Sequence, residues 1–422
     1  VPQHSPPSAT GDPPVTNGRR MLMLVLATVG FALNFWAWSL LSPLGPLFKN
    51  RLGLGAFEQG LVVAVPVMVG SVGRIPVGAL TDRFGGRVMF PALSALTIVP
   101  VLFLGLFGNE SLIALLIGGF FLGLGGTVFA VGVPFVNAWF PPHRRGLAIG
   151  IFGAGMGGTA LSALTAVQLV DAGGIATPFV VTALVLALYA VVSAILLRNA
   201  PGRSVPTGSL ARRLGDTARL SATWEASWLY TIAFGGYVAF SVYLPAYLET
   251  AYGLAPADAA NRMAGFVLLA VLMRPVGGWL SDQVGPLWVL AGSYAVVTVT
   301  AAAQAFTPDL MPVGTIAFLA MAVALGAGSG AVFALVALLS PPTMVGSVTG
   351  VVGAAGGLGG FLPPLIMGAV YGAFDSYALG LAALAVVAAA TLAVTLTTVR
   401  HSLRAHEEGH DRLTDAPAGP HA

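Results

Sequence analysis

Charge is what this sequence has least of. Asp, Glu, Lys and Arg make up 8% of its 422 residues, against 56% hydrophobic residues and a mean hydropathy of +0.87. Soluble domains carry about a quarter charged residues, so this composition excludes a soluble fold and reads as a polytopic membrane protein. Cysteine is absent, which excludes disulfides, thiolate metal sites and cysteine chemistry. The histidines, His4, His143, His401, His406, His410 and His421, all lie outside the apolar segments. No nucleophile–base pair stands out. The glycine-rich runs lie in apolar stretches and lack the Lys-Ser/Thr ending of a phosphate loop. The chain is therefore read as a non-enzyme that needs no cofactor or metal. Its pI near 9.4 calls for no nucleic acid, because positive charge gathers on the cytoplasmic loops of membrane proteins.

What is present is apolar length. Windows of the roughly 20 residues that span a bilayer fall near 21–46, 57–80, 88–107, 112–138, 145–170, 177–198, 224–248, 261–281, 286–306, 313–339, 344–372 and 377–399. The longest polar interruption, 199–222, divides them six and six. This predicts a disordered tail over 1–20, a six-helix bundle over 21–198, a cytoplasmic linker over 199–222, a second bundle over 223–399 and a disordered tail over 400–422. The tail at the start is not read as a signal peptide, since no small-residue cleavage site follows the apolar run from Met21. With both termini inside, the cytoplasmic side holds most of the arginines, including Arg83, Arg87, Arg144, Arg145, Arg212 and Arg213. The outer side keeps Lys49, Arg51 and Arg262. The positive-inside rule favours that orientation.

The halves repeat. GRIPVGALTDRFGG (73–86) matches MRPVGGWLSDQVG (273–285), pairing Arg74 with Arg274 and Asp82 with Asp282. An internal repeat in such a chain points to two pseudo-symmetric bundles with a site between them. Each arginine lies eight residues before its aspartate, about 12 Å deeper at 1.5 Å per residue, near the middle of a hydrocarbon layer about 30 Å thick. A charge there costs at least about 2.5–3.5 kcal/mol. No acid lies at that depth: Glu58, Asp171, Asp258 and Asp375 fall near outer helix ends, and Asp82, Glu225 and Asp282 near inner ends. Either the guanidiniums bond to carbonyls and hydroxyls, or a substrate anion is the missing counter-charge. Two planar forks suit a small, flat oxyanion. Phe129, Tyr230 and Phe234 fall at a depth where rings could pack on its faces. Glycine runs at 123–132, 150–158, 326–330 and 350–360 allow close helix approach.

The motif pair GALTDRFGGR (78–87) and GGWLSDQVG (277–285) resembles the loop signature of the major facilitator superfamily. The blocks FAVGVPFVNAWFP (129–141), RGLAIGIFGAGMGGTAL (145–161), LLAVLMRPVGGWLSD (268–282) and GSVTGVVGAAGGLGGFLPPLIMG (346–368) resemble the nitrate/nitrite porter (NarK-type) family over most of 21–399. The resemblance implies an all-α integral membrane protein of twelve helices in two pseudo-symmetric six-helix bundles. It also implies a cell inner membrane carrier of nitrate and nitrite that works by alternating access as a monomer. It carries over a substrate clamp to Arg74 and Arg274, flanking aromatics to Phe129, Tyr230 and Phe234, a rocking interface to Gly153, Gly155, Met156, Gly157, Gly353, Gly356 and Gly357, and a cytoplasmic gate motif to Asp82, Arg83 and Asp282. The family commonly has Asn where this chain has Met156, and Asn and Lys where it has Ser329 and Ala334. The lack of a midplane acid or His removes the usual proton relay and favours nitrate/nitrite exchange. Proton symport, carriage of another small anion and a non-transporting sensor are the alternatives.

Overall fold

The computed structural model describes residues 16–108, 110–201, 215–340, 345–405 and 408. The first fifteen residues of the expected tail, most of the linker and 409–422 lie outside them, as do the side chains of Asp82, Arg144 and Arg145. Among the described residues, all regular structure is helical, and twelve segments are long and apolar enough to cross a membrane. They are α1 Asn17–Leu52, α2 Ala56–Thr81, α3 Gly86–Phe107, α4 Leu112–Trp139, α5 Ala148–Gly173, α6 Thr177–Leu196, α7 Ser221–Tyr252, α8 Pro256–Val284, α9 Pro286–Ala305, α10 Leu310–Leu339, α11 Val348–Phe374 and α12 Ala378–Ala405.

Each span answers to one apolar window, but many run past its ends. α1 begins at Asn17, within the stretch expected to be disordered, because Thr16 caps it and accepts from the Arg19 amide at 3.3 Å. α12 likewise continues past 399 to Ala405. Helices extend through polar residues wherever caps satisfy the terminal amides, whereas hydropathy reports only the apolar middle. The acids sit at such ends. Glu58 accepts from the Gly55 amide at 2.7 Å at the start of α2, and Asp258 pairs with Arg262 at 3.2 Å at the start of α8.

The repeat is visible in the backbone. Left-handed glycines end α1 and α7 at Gly53 and Gly253, with φ of 65° and 66°. Gly85 and Gly285, with φ of 78° and 85°, turn the chain after α2 and α8. An L side chain is strained at these angles. Within each half a buried tyrosine ties helices together: Tyr189 of α6 donates to the Leu26 carbonyl of α1 at 3.0 Å, and Tyr294 of α9 donates to the Leu229 carbonyl of α7 at 2.7 Å.

The halves meet through α2 on α11 and α5 on α8, with α1 on α7. At the end away from Gly85 and Gly285 the fit is close. Ser42 donates to the Val242 carbonyl at 2.7 Å, and Gln168 to Asn261 at 3.4 Å. A Cβ on Gly60 would fall 2.6 Å from the Pro364 carbonyl oxygen, and one on Gly368 2.6 Å from that of Ala56. Toward the Gly85/Gly285 end, Gly150, Gly153 and Gly157 of α5 and Gly350 of α11 have nothing within 4 Å of such a Cβ. The fit between the halves is thus closer at one end than at the other.

Candidate functional site

Several spans are interrupted at the level of the two arginines. The helical run of α2 breaks at Gly73, and Arg74 is the first residue after the break. α4 breaks at Thr127–Val128, and Phe129 follows. α5 tightens into a 3₁₀ turn over Ala154–Gly157, which carries Met156. α11 breaks between Gly359 and Leu362. Breaks of this kind free backbone groups where they can face a site rather than lipid. α7 and α8 run through the same level uninterrupted.

The first half buries Arg74 almost completely, at 7% exposure. Its Nη1 donates to the Gly353 carbonyl of α11 at 2.8 Å, and its Nε to the Gly126 carbonyl at 3.4 Å. The Gly126 oxygen is available because the Ala130 amide, its partner in a continuous α-helix, bonds Thr127 instead at 2.9 Å. The guanidinium carbon lies 5.3 Å from the Phe129 ring centroid and 5.8 Å from that of Phe234.

Arg274 of α8 is half-buried. Its Nη2 donates to the Tyr230 hydroxyl at 2.8 Å, and its Nη1 is set against the Met156 sulfur across the interface. Its guanidinium carbon is 5.4 Å from the same Phe234 ring, so the two guanidinium carbons lie within about 11 Å of each other. Tyr230 and Phe234, one helical turn apart on α7, stack at 4.8 Å with 4° between planes. Phe333 meets Tyr230 edge-on at 4.8 Å. Two cations thus share an aromatic floor, where cation–π attraction contributes about 0.5–2 kcal/mol each. Among the described residues neither has a carboxylate partner; the ion pair recorded is Arg262–Asp258, far out at a helix end.

All five residues expected at the site therefore come together: Arg74, Arg274, Phe129, Tyr230 and Phe234. The glycine group divides. Gly353 supplies an acceptor, and a Cβ on Gly357 would fall 2.9 Å from Arg74 Nη1. One on Gly356 would strike Tyr230 and fall 3.1 Å from Phe234, and one on Gly155 would fall 2.7 Å from Phe31. Gly153 and Gly157 border open space. In the loop motifs, Arg83 lies over its neighbour Phe84 at 5.3 Å and Asp282 is exposed. Neither hydrogen-bonds across the halves among the described residues.

Sequence reasoning missed several contributors. Met156, expected in the rocking interface and at the position where the family commonly has Asn, touches Arg274 directly, a contact not foreseen. Tyr237 stacks on Phe234 at 5.9 Å and lies 3.2 Å from Thr159 Oγ1 across the interface. Thr159 donates onward to the Met156 carbonyl at 3.0 Å, leaving Tyr237 as the donor between the hydroxyls. The only hint in sequence was spacing, since Tyr237 follows Phe234 by three residues on a helix. The Gly126 and Gly353 carbonyls left no side-chain signal at all.

The chain matches the Major Facilitator Superfamily over residues 27–364 and 226–419. It is 48% identical over 378 residues to the "Probable nitrate/nitrite transporter NarK2" of Mycobacterium tuberculosis (strain ATCC 25618 / H37Rv), covering 89% of this chain and 95% of that one. It is 37% identical over 378 residues to the "Nitrite extrusion protein" of Bacillus subtilis (strain 168), covering 90% and 94%. It is 33% identical over 364 residues to the "Probable nitrate transporter NarT" of Staphylococcus haemolyticus (strain JCSC1435), covering 86% and 93%. Among solved structures, a bacterial homolog to the human lysosomal transporter Spinster, inward-facing and occupied, superposes with a TM-score of 0.72 at 19% identity over 92% of this chain and 98% of that one. That last likeness concerns the fold alone.

Proposed function

The chain belongs to the nitrate/nitrite porter family of the Major Facilitator Superfamily, and from that premise we propose that it carries nitrate and nitrite across the cell membrane by exchange, through the site formed by Arg74 and Arg274. One observation carries this reading. Two guanidiniums from opposite halves face a common ring with only uncharged acceptors around them. A small planar monovalent anion between them supplies the missing charge and accepts from both forks. Tyr230, Phe234 and Phe129 provide ring faces beside it.

With both termini cytoplasmic, the less closely fitted end is the cytoplasmic one, and the structure is the inward-facing member of the alternating pair. In it the guanidiniums rest on neutral acceptors, Gly353 oxygen and Met156 sulfur, each on the half opposite its arginine. Without an anion the cations repel as the halves close. With one bound they are neutralised in part, and the halves can rock toward the other opening. A carrier that reorients readily only when loaded performs exchange. No carboxylate or histidine stands among the described contacts of the site to relay a proton, which supports exchange over symport.

The test is flux in proteoliposomes. Nitrate uptake is expected to require internal nitrite or nitrate and to ignore an imposed pH gradient. Uptake into empty vesicles driven by a proton gradient would overturn the exchange reading. Thermal stabilisation of the purified protein by nitrate or nitrite, lost in Arg74→Lys and Arg274→Lys, checks the site separately.

A further inference from the structure

A second cavity lies outside the anion site, within the second half. It has a volume of about 180 Å³ and sits between α7, α11 and α12. Its α7 wall runs from Thr231 to Tyr247, sixteen helical steps, which is about 24 Å along the helix axis. No charged residue lines it. α12 packs on α7, α9 and α11, all of its own half, so the cavity opens away from the cleft between the halves. Ile366 and Val387 on its lining are 48% and 37% exposed, and Ala383 is exposed as well. The opening therefore faces the bilayer. Toward the C-terminal end of α7 the lining includes Tyr243 and Tyr247, each less than a tenth exposed, with Tyr377 and Tyr252 beside them at ring-centroid distances of 6.2 and 5.9 Å.

We propose that this slot holds one acyl chain of a bilayer phospholipid. The chain lies along α7 with its ester end at Tyr243 and Tyr247 and its tail toward the level of the anion site. Three observations fit that occupant together. The slot is elongated along the membrane normal, as lipid chains are. Its lining is apolar except for Thr231 at one end, whose hydroxyl donates to the Ser227 carbonyl, and Tyr243 and Tyr247 toward the other end of the helix, the depth at which tyrosines meet the headgroup region. Its opening is reached from the hydrocarbon and not from the aqueous cleft, so a water-borne solute has no path to it.

The position gives the lipid a mechanical role. Gly359, Pro363 and Pro364 line the slot, and they bracket the break in α11 between Gly359 and Leu362. The segment before that break carries the Gly353 carbonyl that accepts from Arg74. A chain seated in the slot braces α11 at its break, on the side away from the first half.

Photolabelling tests this directly. The full-length protein is reconstituted in phosphatidylcholine vesicles whose acyl chain carries a diazirine, irradiated and mapped by mass spectrometry. Labels are expected to concentrate on 359–367 and 380–387, several-fold above the lipid-facing residues Leu184 and Leu188 of α6, which are each 66% exposed. Ala383→Phe fills the slot from an exposed position and is expected to abolish the slot labels while those on α6 persist. Val387→Trp at the rim is the second blocking variant, should the first fold poorly. In detergent, added phosphatidylcholine should stabilise the parent more than either variant. Labelling in proportion to exposure everywhere, or slot labels unchanged by both variants, overturns the proposal. So does equal stabilisation of parent and variants.

Discussion

Arg74 and Arg274 stand 200 residues apart in a repeated motif, yet the two halves hold them differently. Arg74 begins a helical segment at a break, is 7% exposed and donates to two carbonyls, Gly126 on its own half and Gly353 on the other. Arg274 lies inside an unbroken helix, is half-buried and rests on a phenol and a thioether. Backbone carbonyls in a packed half are fixed and strong acceptors. A thioether is a weak one on a flexible side chain. The repeat therefore sets the depth of the charge, while the local backbone sets how tightly it is held. If the pair clamps an anion as proposed, Arg74 is the fixed jaw and Arg274 the one that the anion most readily draws in.

The largest test of this difference is removal of each cation. Arg74→Ala leaves the Gly126 carbonyl, which takes no bond from the Ala130 amide, buried without its donor at about 1–3 kcal/mol and removes the tie to Gly353, so it should lower the unfolding temperature as well as abolish anion binding. Arg274→Ala should abolish binding with the smaller stability loss. Thermal unfolding of both variants with and without nitrate reads the two effects apart, and equal destabilisation would remove the distinction between jaws.

A second pair of substitutions compares the matching glycine positions. Gly357→Ala places a Cβ 2.9 Å from Arg74 Nη1 and closer still to Ser71, and is expected to weaken nitrate affinity by about tenfold, or 1.4 kcal/mol. Gly157→Ala meets nothing within 4 Å in this state and should leave fold stability unchanged or raise it by about 0.5 kcal/mol. If Gly157→Ala nevertheless stops exchange, its open space is used when the halves close.

Tyr230→Phe sharpens the account of Arg274 alone. Among the described residues it removes the one oxygen that accepts from that guanidinium, and a hydrogen bond to a charged group contributes about 1.5–3 kcal/mol, so the Kd for nitrate should rise at least about tenfold. The smallest effect is expected at Thr159→Val. It breaks the Thr159–Tyr237 bond across the halves at roughly 1 kcal/mol, and should favour the opposite-facing state without changing which anion binds. Accessibility of cysteines introduced at the closer-fitting end measures that shift, and unchanged accessibility would show that the bond is no latch.

Much of this was legible before any coordinates. Twelve apolar windows, the six-and-six division and the repeat around Arg74 and Arg274 follow from hydropathy and self-similarity, because a lipid solvent imposes length and apolarity on every span. The depth of the arginines and their lack of an acid partner follow from counting residues along a helix. The three aromatics expected beside the arginines lie against them or against one another. What counting could not supply was contact. Met156 passed for a packing residue because its role depends on α5 meeting α8. Gly126 passed unremarked because a carbonyl has no sequence signature until the helix around it breaks. Helix starts such as Asn17 were misjudged because capping, unlike hydropathy, acts through single polar residues.

The sequence by itself determined that two arginines recur at matching positions of an apolar repeat with no carboxylate at the same helical level, since composition and periodicity fix spacing and charge. Only the tertiary structure decided that the two share the Phe234 ring, that one is tied to carbonyls and the other to a sulfur, and that the halves fit less closely at the Gly85/Gly285 end. Those features depend on which helices break and which faces meet, and packing between residues far apart in the chain settles both.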